Sequence, residues 1–302
     1  MNKVTTIDLG SNSFRVLIYD CLNNEIINEY NEVVGMADGL NETSTISKEA
    51  QERVINAINQ SSIQLNYEPS EAICVTTAAM RIATNNSEVL KTFEKRTGAK
   101  FNIIDGKEEA RLTLLAVKYA LKREKINSSK FVLLDIGGGS TEIIVNDGDS
   151  YTSHSFNFGI VTLTQKYLEY EDLMEELNSH KVDIKAFIDE SKIELDDYTF
   201  VATAGTPTTI AAIKLGQDFF HYDKNLVNGT VLNLNDLNES LDIFRNSSQD
   251  IITKLVGSGR VEFIEIGIYI YRAIFEVLGK NESIVLDDGL REGVAINHCI
   301  LG

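Results

Sequence analysis

One short motif occurs twice in the chain, and this repeat constrains the fold more than any other feature. Residues 4–20 read VTTIDLGSNSFRVLIYD, and residues 132–145 read VLLDIGGGSTEIIV. Each copy is an apolar run that ends in an aspartate, then a turn of glycine and small polar residues, then a second apolar run. This order predicts two buried strands joined by a tight turn. The two aspartates, Asp8 and Asp135, are 127 positions apart.

A second pair of segments has nearly the same spacing. Residues 75–79 read VTTAA and residues 201–205 read VATAG, an offset of 126 positions. Two separate matches at almost one offset predict an internal duplication, and the period is far too long for a solenoid.

The duplication predicts two similar domains, which suits a chain of 302 residues. We expect the boundary in the polar stretch 122–130. This gives an N-terminal domain of residues 1–123 and a C-terminal domain of residues 124–302, with the last helix, about 290–302, packing back on the first domain. Hairpin strands alternating with helices predict α/β domains with mixed sheets, whose hairpin loops face one another across a cleft.

The two turns have the composition of phosphate-binding loops. Glycine permits the backbone angles that aim several N–H groups at one point, and it places no side chain in the way. An aspartate at the strand end suits Mg²⁺, with Mn²⁺ as an alternative, because such ions take oxygen ligands and share them with substrate phosphates. The alternative is a tight hairpin with a solvated aspartate. The candidate phosphate-binding residues are Gly10, Ser11, Asn12, Ser13, Gly137, Gly138, Gly139, Ser140 and Thr141.

Composition limits the classes of function. A net charge of −17 argues against general binding of DNA or RNA, which relies on basic surface. A polyanionic substrate would need local positive charge from Mg²⁺, arginines and amides. No apolar run approaches the roughly 20 residues that span a membrane, and no signal sequence is evident, so we expect a cytoplasmic protein. The three scattered cysteines are expected to be buried thiols: Cys21, Cys74 and Cys299.

Periodicity predicts several long helices. Apolar spacing and a capping serine favour a helix over Ser47–Leu65. Further helices are predicted over about 107–122, over Val161–Leu168 and over Gly259–Leu278.

Four motifs together carry a family resemblance. They are DLGSNSFR at 8–15, GKEEAR at 106–111, DIGGGSTE at 135–142 and GLREG at 289–293. In this order, and over essentially the whole chain, they resemble the exopolyphosphatase / guanosine pentaphosphate phosphohydrolase family in its short, two-domain form. The wider likeness is to the acetate and sugar kinase, Hsp70 and actin superfamily. It implies two duplicated actin-like, ribonuclease H-like domains, and a homodimer.

The resemblance also implies roles for individual residues. It makes Glu109 the general base on the attacking water, and Arg81 the ligand of the terminal phosphate. It makes Asp135 and Glu142 the carboxylates associated with Mg²⁺, and Asp8 is the equivalent aspartate of the first motif. Further candidate phosphate contacts are Arg15, Gly205 and Thr206.

The residues alone leave other roles open. Glu109 is equally a helix-start carboxylate, Arg81 a surface ion pair and Glu142 a solvent-facing strand residue. We expect Arg291 to fix the last helix. The chain also departs from the family where Val-Arg-Leu often precedes Asp-Gly-Leu, because it has Gly35 in place of the arginine.

Three functions are therefore considered. The first is a Mg²⁺-dependent hydrolase that releases terminal phosphate from inorganic polyphosphate, with short chains favoured, or from guanosine pentaphosphate. The second is an ATP-dependent small-molecule kinase of the same superfamily. The third is a non-catalytic sensor of nucleotide or polyphosphate.

Overall fold

The chain forms two compact units. The computed structural model describes residues 3–167 and 169–301. One unit contains the described residues up to Ala116 and those from Asp288 onward, and the other runs from Val117 to Asp287. The predicted division into domains 1–123 and 124–302 stays a prediction.

The first unit is built on a five-stranded sheet in the order β3-β2-β1-β4-β5. The hairpin strands β1, β2 and β3 are antiparallel, whereas β1, β4 and β5 are parallel. The strands are β1 (Lys3–Leu9), β2 (Ser13–Asp20), β3 (Glu25–Val33), β4 (Ile73–Thr76) and β5 (Phe101–Ile103).

The second unit is built on a six-stranded sheet in the order β10-β11-β9-β6-β7-β8. Strands β6, β7 and β8 form an antiparallel meander, and β6, β9 and β11 are parallel. The strands are β6 (Phe131–Ile136), β7 (Thr141–Asn146), β8 (Tyr151–Phe156), β9 (Thr199–Thr203), β10 (Val231–Asn233) and β11 (Glu282–Val285).

Helices cover these sheets, and none of those that the structure describes has the length and apolar character of a membrane span. The helices are α1 (Leu40–Thr43), α2 (Lys48–Leu65), α3 (Ala78–Ile82), α4 (Asn86–Thr97), α5 (Gly106–Arg123), α6 (Ile160–Lys166), α7 (Tyr170–Glu190), α8 (Gly205–Lys214), α9 (Lys224–Val227), α10 (Leu234–Asn246), α11 (Gln249–Val256), α12 (Ile264–Leu278) and α13 (Leu290–Leu301).

Most predicted helices occur near their expected bounds. Ser47 caps α2 by accepting a hydrogen bond from the amide of Ala50. Leu168, the last residue of the helix predicted over Val161–Leu168, lies outside the described residues. The helix predicted over Gly259–Leu278 is wrong at its start, because a 3₁₀ turn at Ser258–Arg260 precedes α12.

The two sheets repeat one strand order. Strands β3-β2-β1-β4-β5 correspond to β8-β7-β6-β9-β11, and β10 is an addition at the edge. The predicted duplication and the α/β class with mixed sheets are thereby confirmed.

The second sequence match is displaced by two residues. Val75 lies beside Asp8, whereas Thr203 lies beside Asp135. The strand position equivalent to Val75 is therefore Thr203 and not Val201. A displacement of two keeps the same side of a strand buried, so the apolar pattern matches in either register.

The last helix, α13, packs on the first sheet and explains Arg291. The Arg291 side chain is only 4% exposed and donates to Glu292, Asn31 and Glu29 over 2.5–2.8 Å. A buried arginine is stable only with such partners, and here they tie α13 to β3.

The expectation of three buried thiols is wrong for two cysteines. Cys21 and Cys299 form a disulfide across a sequence separation of 278, between the end of β2 and α13. No local pattern could reveal this pair, because packing of the helix on the sheet brings the residues together. Cys74 is a buried free thiol, as predicted.

Candidate functional site

In the first unit, three candidate segments leave one edge of the sheet. Leu9, Thr76 and Ile103 are neighbours in register at the carboxyl ends of β1, β4 and β5. The Gly10–Ser13 turn, the helix that carries Arg81 and the helix that carries Glu109 all follow these ends. This edge is where α/β sheets commonly bind ligands.

The first turn is fixed through its carbonyl groups. The Asn12 carbonyl accepts hydrogen bonds from the amides of Val34 (2.8 Å) and Gly35 (3.0 Å), and the Ser11 carbonyl accepts from Ala37 (2.8 Å). In a trans peptide the N–H points opposite to the C=O. The amides of Asn12 and Ser13 are therefore directed away from residues 34–37, as a phosphate loop requires.

Arg81 and Glu109 form one assembly. Arg81 Nη1 lies 2.8 Å from Glu109 Oε2 and 2.9 Å from the carbonyl oxygen of Ile104. Glu109 is 9% exposed and occupies the first turn of α5, and its amide bonds the Asp105 carbonyl. The guanidinium carries further N–H groups, a fork suited to phosphate oxygens.

The second turn, in the other unit, is built on the same plan. Gly10 N donates to Ser13 O, and Gly137 N donates to Ser140 O, both over 2.9 Å. The carbonyls of Gly137 and Gly138 accept from the start of α6, which turns the amides of Gly138 and Gly139 the opposite way.

Glycine is required where this turn meets α6. A Cβ on Gly159, just before the helix, would lie 2.5 Å from the Gly137 carbonyl oxygen and 2.6 Å from Gly138. Any larger residue would push the helix off the turn. No sequence motif marks Gly159, since its partner lies some 20 positions upstream in the chain.

The predicted carboxylates differ in their strand partners. Asp135 and Glu142 are directly paired across β6 and β7, whereas Asp8 is paired with Arg15 across β1 and β2. Paired residues point to the same face of a sheet, and two like charges there are destabilising without a counter-ion. Glu142 is 1% exposed, and Ser155 donates to it over 2.7 Å.

The donor set of this acidic pair fits Mg²⁺. Both side chains supply hard oxygens, and the first hairpin has an arginine where the second has Glu142. Among the described residues, no group of three or more His, Cys, Asp or Glu side chains is placed to hold a metal by itself. Mg²⁺ keeps few protein ligands when substrate phosphates complete its shell, so two carboxylates are compatible with it.

The structure gives Thr141 and Thr206 packing roles. The Thr141 hydroxyl donates to the Phe158 carbonyl over 2.8 Å. The Thr206 side chain packs on α12, where a Cβ at Gly267 would lie 2.1 Å from its hydroxyl oxygen. Any phosphate contact at these two positions would therefore come from the backbone.

Gly205 lies next to a cation that the sequence did not single out. A Cβ on Gly205 would lie 3.5 Å from the guanidinium carbon of Arg260. Arg260 belongs to a 3₁₀ turn that periodicity assigns to a helix, and so its placement could not be predicted. The preceding Ala204 has a φ of 73° and a ψ of −173°, a conformation normally reserved for glycine.

Several known proteins are similar to this chain in sequence. A guanosine-5'-triphosphate,3'-diphosphate pyrophosphatase of Aliivibrio fischeri is 28% identical over 296 residues, which cover 95% of this chain and 57% of the relative. A candidate exopolyphosphatase of Haemophilus influenzae is 29% identical over 308 residues, covering 97% and 90% of the two chains. The chain spans only 44% and 57% of the length of two of its curated relatives.

The fold of this chain is also similar to that of a solved protein structure. The crystal structure of an Aquifex aeolicus Ppx/GppA protein superposes with a TM-score of 0.73 and 27% identity, and covers 99% of this chain and 98% of its own. The model of one family, described as the Ppx/GppA phosphatase family, matches residues 18–299. With both hairpins, the Arg81–Glu109 pair and the final helix inside or beside that match, the chain belongs to the Ppx/GppA phosphatase family.

Proposed function

We propose that this protein is a Mg²⁺-dependent phosphoanhydride hydrolase that releases terminal phosphate from inorganic polyphosphate, guanosine pentaphosphate or both. One observation carries the proposal: the bond between Arg81 and Glu109. It joins a cation that suits a phosphate to a carboxylate that suits a water, within one hydrogen bond of each other. A kinase would need a binding site for a second, phosphate-accepting substrate. A non-catalytic sensor would need no carboxylate to take a proton from water.

The reaction follows from this pair. Arg81 binds the terminal phosphate, and Glu109 orients a water in line with the scissile bond. The water oxygen attacks phosphorus, Glu109 takes its proton, and the bond to the bridging oxygen breaks. The products are inorganic phosphate and a chain one phosphate shorter. Hydrolysis of this kind needs positioning and charge neutralisation more than covalent help.

The backbone loops and the acidic pair complete the proposal. Amides of the Gly10–Ser13 and Gly137–Ser140 turns would hold phosphate oxygens. Asp135 and Glu142 would hold Mg²⁺, with Mn²⁺ as a substitute, and the ion would neutralise charge on the phosphates.

We propose that the enzyme hydrolyses short polyphosphate chains faster than long ones. A long polyanion needs an extended basic track, and this chain has a net charge of −17. The family arginine is also absent at Gly35. The names of the relatives include both a guanosine-5'-triphosphate,3'-diphosphate pyrophosphatase and an exopolyphosphatase, so both substrates belong in the proposal. The cytoplasmic location and the homodimer stay predictions.

The test measures phosphate release by the purified protein with Mg²⁺. Tripolyphosphate, long polyphosphate, guanosine pentaphosphate and ATP without an acceptor are assayed in parallel, each with and without EDTA. We expect Mg²⁺-dependent release from tripolyphosphate or guanosine pentaphosphate, and slower release from long polyphosphate and ATP. Tight binding of these substrates without turnover would overturn the hydrolase proposal and favour a non-catalytic sensor. Faster hydrolysis of very long chains than of short ones would overturn the proposed preference for short polyphosphate.

A further inference from the structure

Arg53 binds the segment that holds the first phosphate turn. Its Nε lies 2.6 Å from the Val34 carbonyl oxygen, and its Nη2 lies 2.8 Å from that of Gly35 and 2.6 Å from Asp38 Oδ2. Arg53 comes from α2, so one guanidinium links a helix to three groups of an irregular segment. We call residues 34–38 the support segment.

The support segment in turn holds the phosphate turn. Its amides at Val34, Gly35 and Ala37 bond the carbonyls of Asn12 and Ser11, as described above. The direct chain of contacts runs through the peptide group between Val34 and Gly35, whose carbonyl accepts from Arg53 and whose amide donates to the Asn12 carbonyl.

The second unit performs the same task without an arginine. There the amides at the start of α6 bond the carbonyls of Gly137 and Gly138. A helix has its own internal hydrogen bonds and keeps its first amides in place. The support segment is neither helix nor strand between β3 and α1, and the Arg53 side chain supplies bonds to two of its carbonyls.

Arg53 also accounts for Gly35. A Cβ at Gly35 would lie 2.4 Å from Asp38 Oδ2, the oxygen that Arg53 binds, and the φ of Gly35 is +55°. The Arg53–Asp38 pair therefore fills the space that a side chain at position 35 would take. The Arg53–Asp38 ion pair therefore requires glycine at position 35.

We infer that Arg53 is a positioning residue for phosphate binding by the Gly10–Ser13 turn. It does not touch substrate, and it acts by keeping the support segment against the carbonyls of that turn. The inference rests on the proposed function only for the identity of the bound phosphate. The claim that Arg53 keeps the Gly10–Ser13 turn in one conformation is independent of that function.

The first arm of the test compares kinetics. Arg53→Ala, Arg53→Lys and the control Arg96→Ala are assayed on tripolyphosphate. Arg96, on α4, pairs with Glu52 on the exposed side of α2, so its loss removes an equal charge away from the turn. We expect Arg53→Ala to raise KM about tenfold, with kcat changed much less, because charged hydrogen bonds of this kind are worth about a factor of ten or more. A lysine keeps the charge but not the fork, so Arg53→Lys should recover part of the loss.

The second arm needs no activity. Hydrogen exchange of the amides of residues 34, 35 and 37 should be at least about tenfold faster in Arg53→Ala than in wild type or Arg96→Ala, since exchange reports local opening. Thermal midpoints identify any variant that fails to fold, in which case Arg53→Lys supplies both readouts.

The outcomes separate the two proposals. If wild type releases no phosphate from any substrate, the proposed function fails, and the exchange arm still decides the role of Arg53. Equal exchange in Arg53→Ala and Arg96→Ala would overturn the inference. So would equal KM values in an active enzyme.

Discussion

The guanidinium of Arg81 holds the carboxylate of Glu109, with 2.8 Å between Nη1 and Oε2. The two residues lie 28 positions apart, on α3 and α5, and both helices begin at the same edge of the first sheet. Neither residue is fully exposed, which strengthens the pair relative to a surface salt bridge. Their geometry therefore holds the proposed base next to the proposed phosphate ligand.

The first prediction concerns Glu109→Gln. Glutamine keeps the shape and an oxygen acceptor for Arg81 but cannot take a proton from water. We expect kcat to fall by about 100-fold or more, with KM changed little. Glu108→Gln is the matched control, because Glu108 lies one residue earlier and pairs with Arg111. Unchanged turnover in Glu109→Gln would assign the base elsewhere.

The sequence was sufficient for those parts of the site that local motifs encode. Both turns, the α/β class and the duplication follow from glycine, small polar residues and apolar runs, and all are in the structure. The residues that support the turns could not be predicted. Arg53 and Gly159 act through backbone groups far away in sequence, and no spacing rule links them to the turns.

Long-range pairing also limited the fold prediction. The Cys21–Cys299 bond and the Arg291 network depend on where the last helix packs. The helical spacing of its neighbours predicts a helix at Arg260, whereas the chain makes a 3₁₀ turn there. Periodicity does not mark such a turn.

The second prediction concerns Glu142→Gln. If Glu142 and Asp135 hold Mg²⁺, losing one charge should raise the Mg²⁺ concentration for half-maximal activity by about tenfold or more. Titration of phosphate release with Mg²⁺ measures this shift. Glu282→Gln, an exposed substitution on β11 of the same sheet, should leave it unchanged. An identical titration for Glu142→Gln would remove this residue from the metal site.

The third prediction concerns Ala204→Gly. Ala204 holds a backbone conformation that costs a non-glycine residue about 1 kcal/mol or more. Glycine should therefore raise the free energy of unfolding by about 1 kcal/mol, as measured by urea denaturation. Ala211→Gly, within the same helix α8, should lower it by a similar amount. If both substitutions destabilise equally, the Ala204 backbone is not strained.

The fourth prediction concerns the disulfide. A cross-link between residues 278 positions apart restricts the unfolded chain, so its reduction should lower the free energy of unfolding by about 2–4 kcal/mol. Denaturation with and without reductant measures this difference. The Cys21→Ser/Cys299→Ser double variant should show no dependence on reductant. Thiol titration of denatured protein should find one thiol before reduction and three after it, and three thiols before reduction would exclude the bond.

The last prediction concerns alkaline pH. Burial raises the pKa of the Cys74 thiol and of the Tyr67 hydroxyl, each to about 12, so both groups are neutral in the folded protein. In the unfolded chain they lose their protons from about pH 9 to 10. Between about pH 9 and 12 the unfolded state therefore binds fewer protons than the folded state. The free energy of unfolding should therefore be unaffected by these groups below about pH 8 and fall as the pH rises from about 9 to 12.

Tyr67→Phe tests the tyrosine share of this effect. Ser61, whose hydroxyl lies 2.8 Å from that of Tyr67, keeps its bond to the Ile58 carbonyl, so the variant should fold. Urea denaturation at several pH values should give a shallower alkaline decline for Tyr67→Phe than for wild type. Equal slopes in the two proteins would show that the tyrosine ionises alike in the folded and unfolded chain, because only a difference in proton binding couples stability to pH.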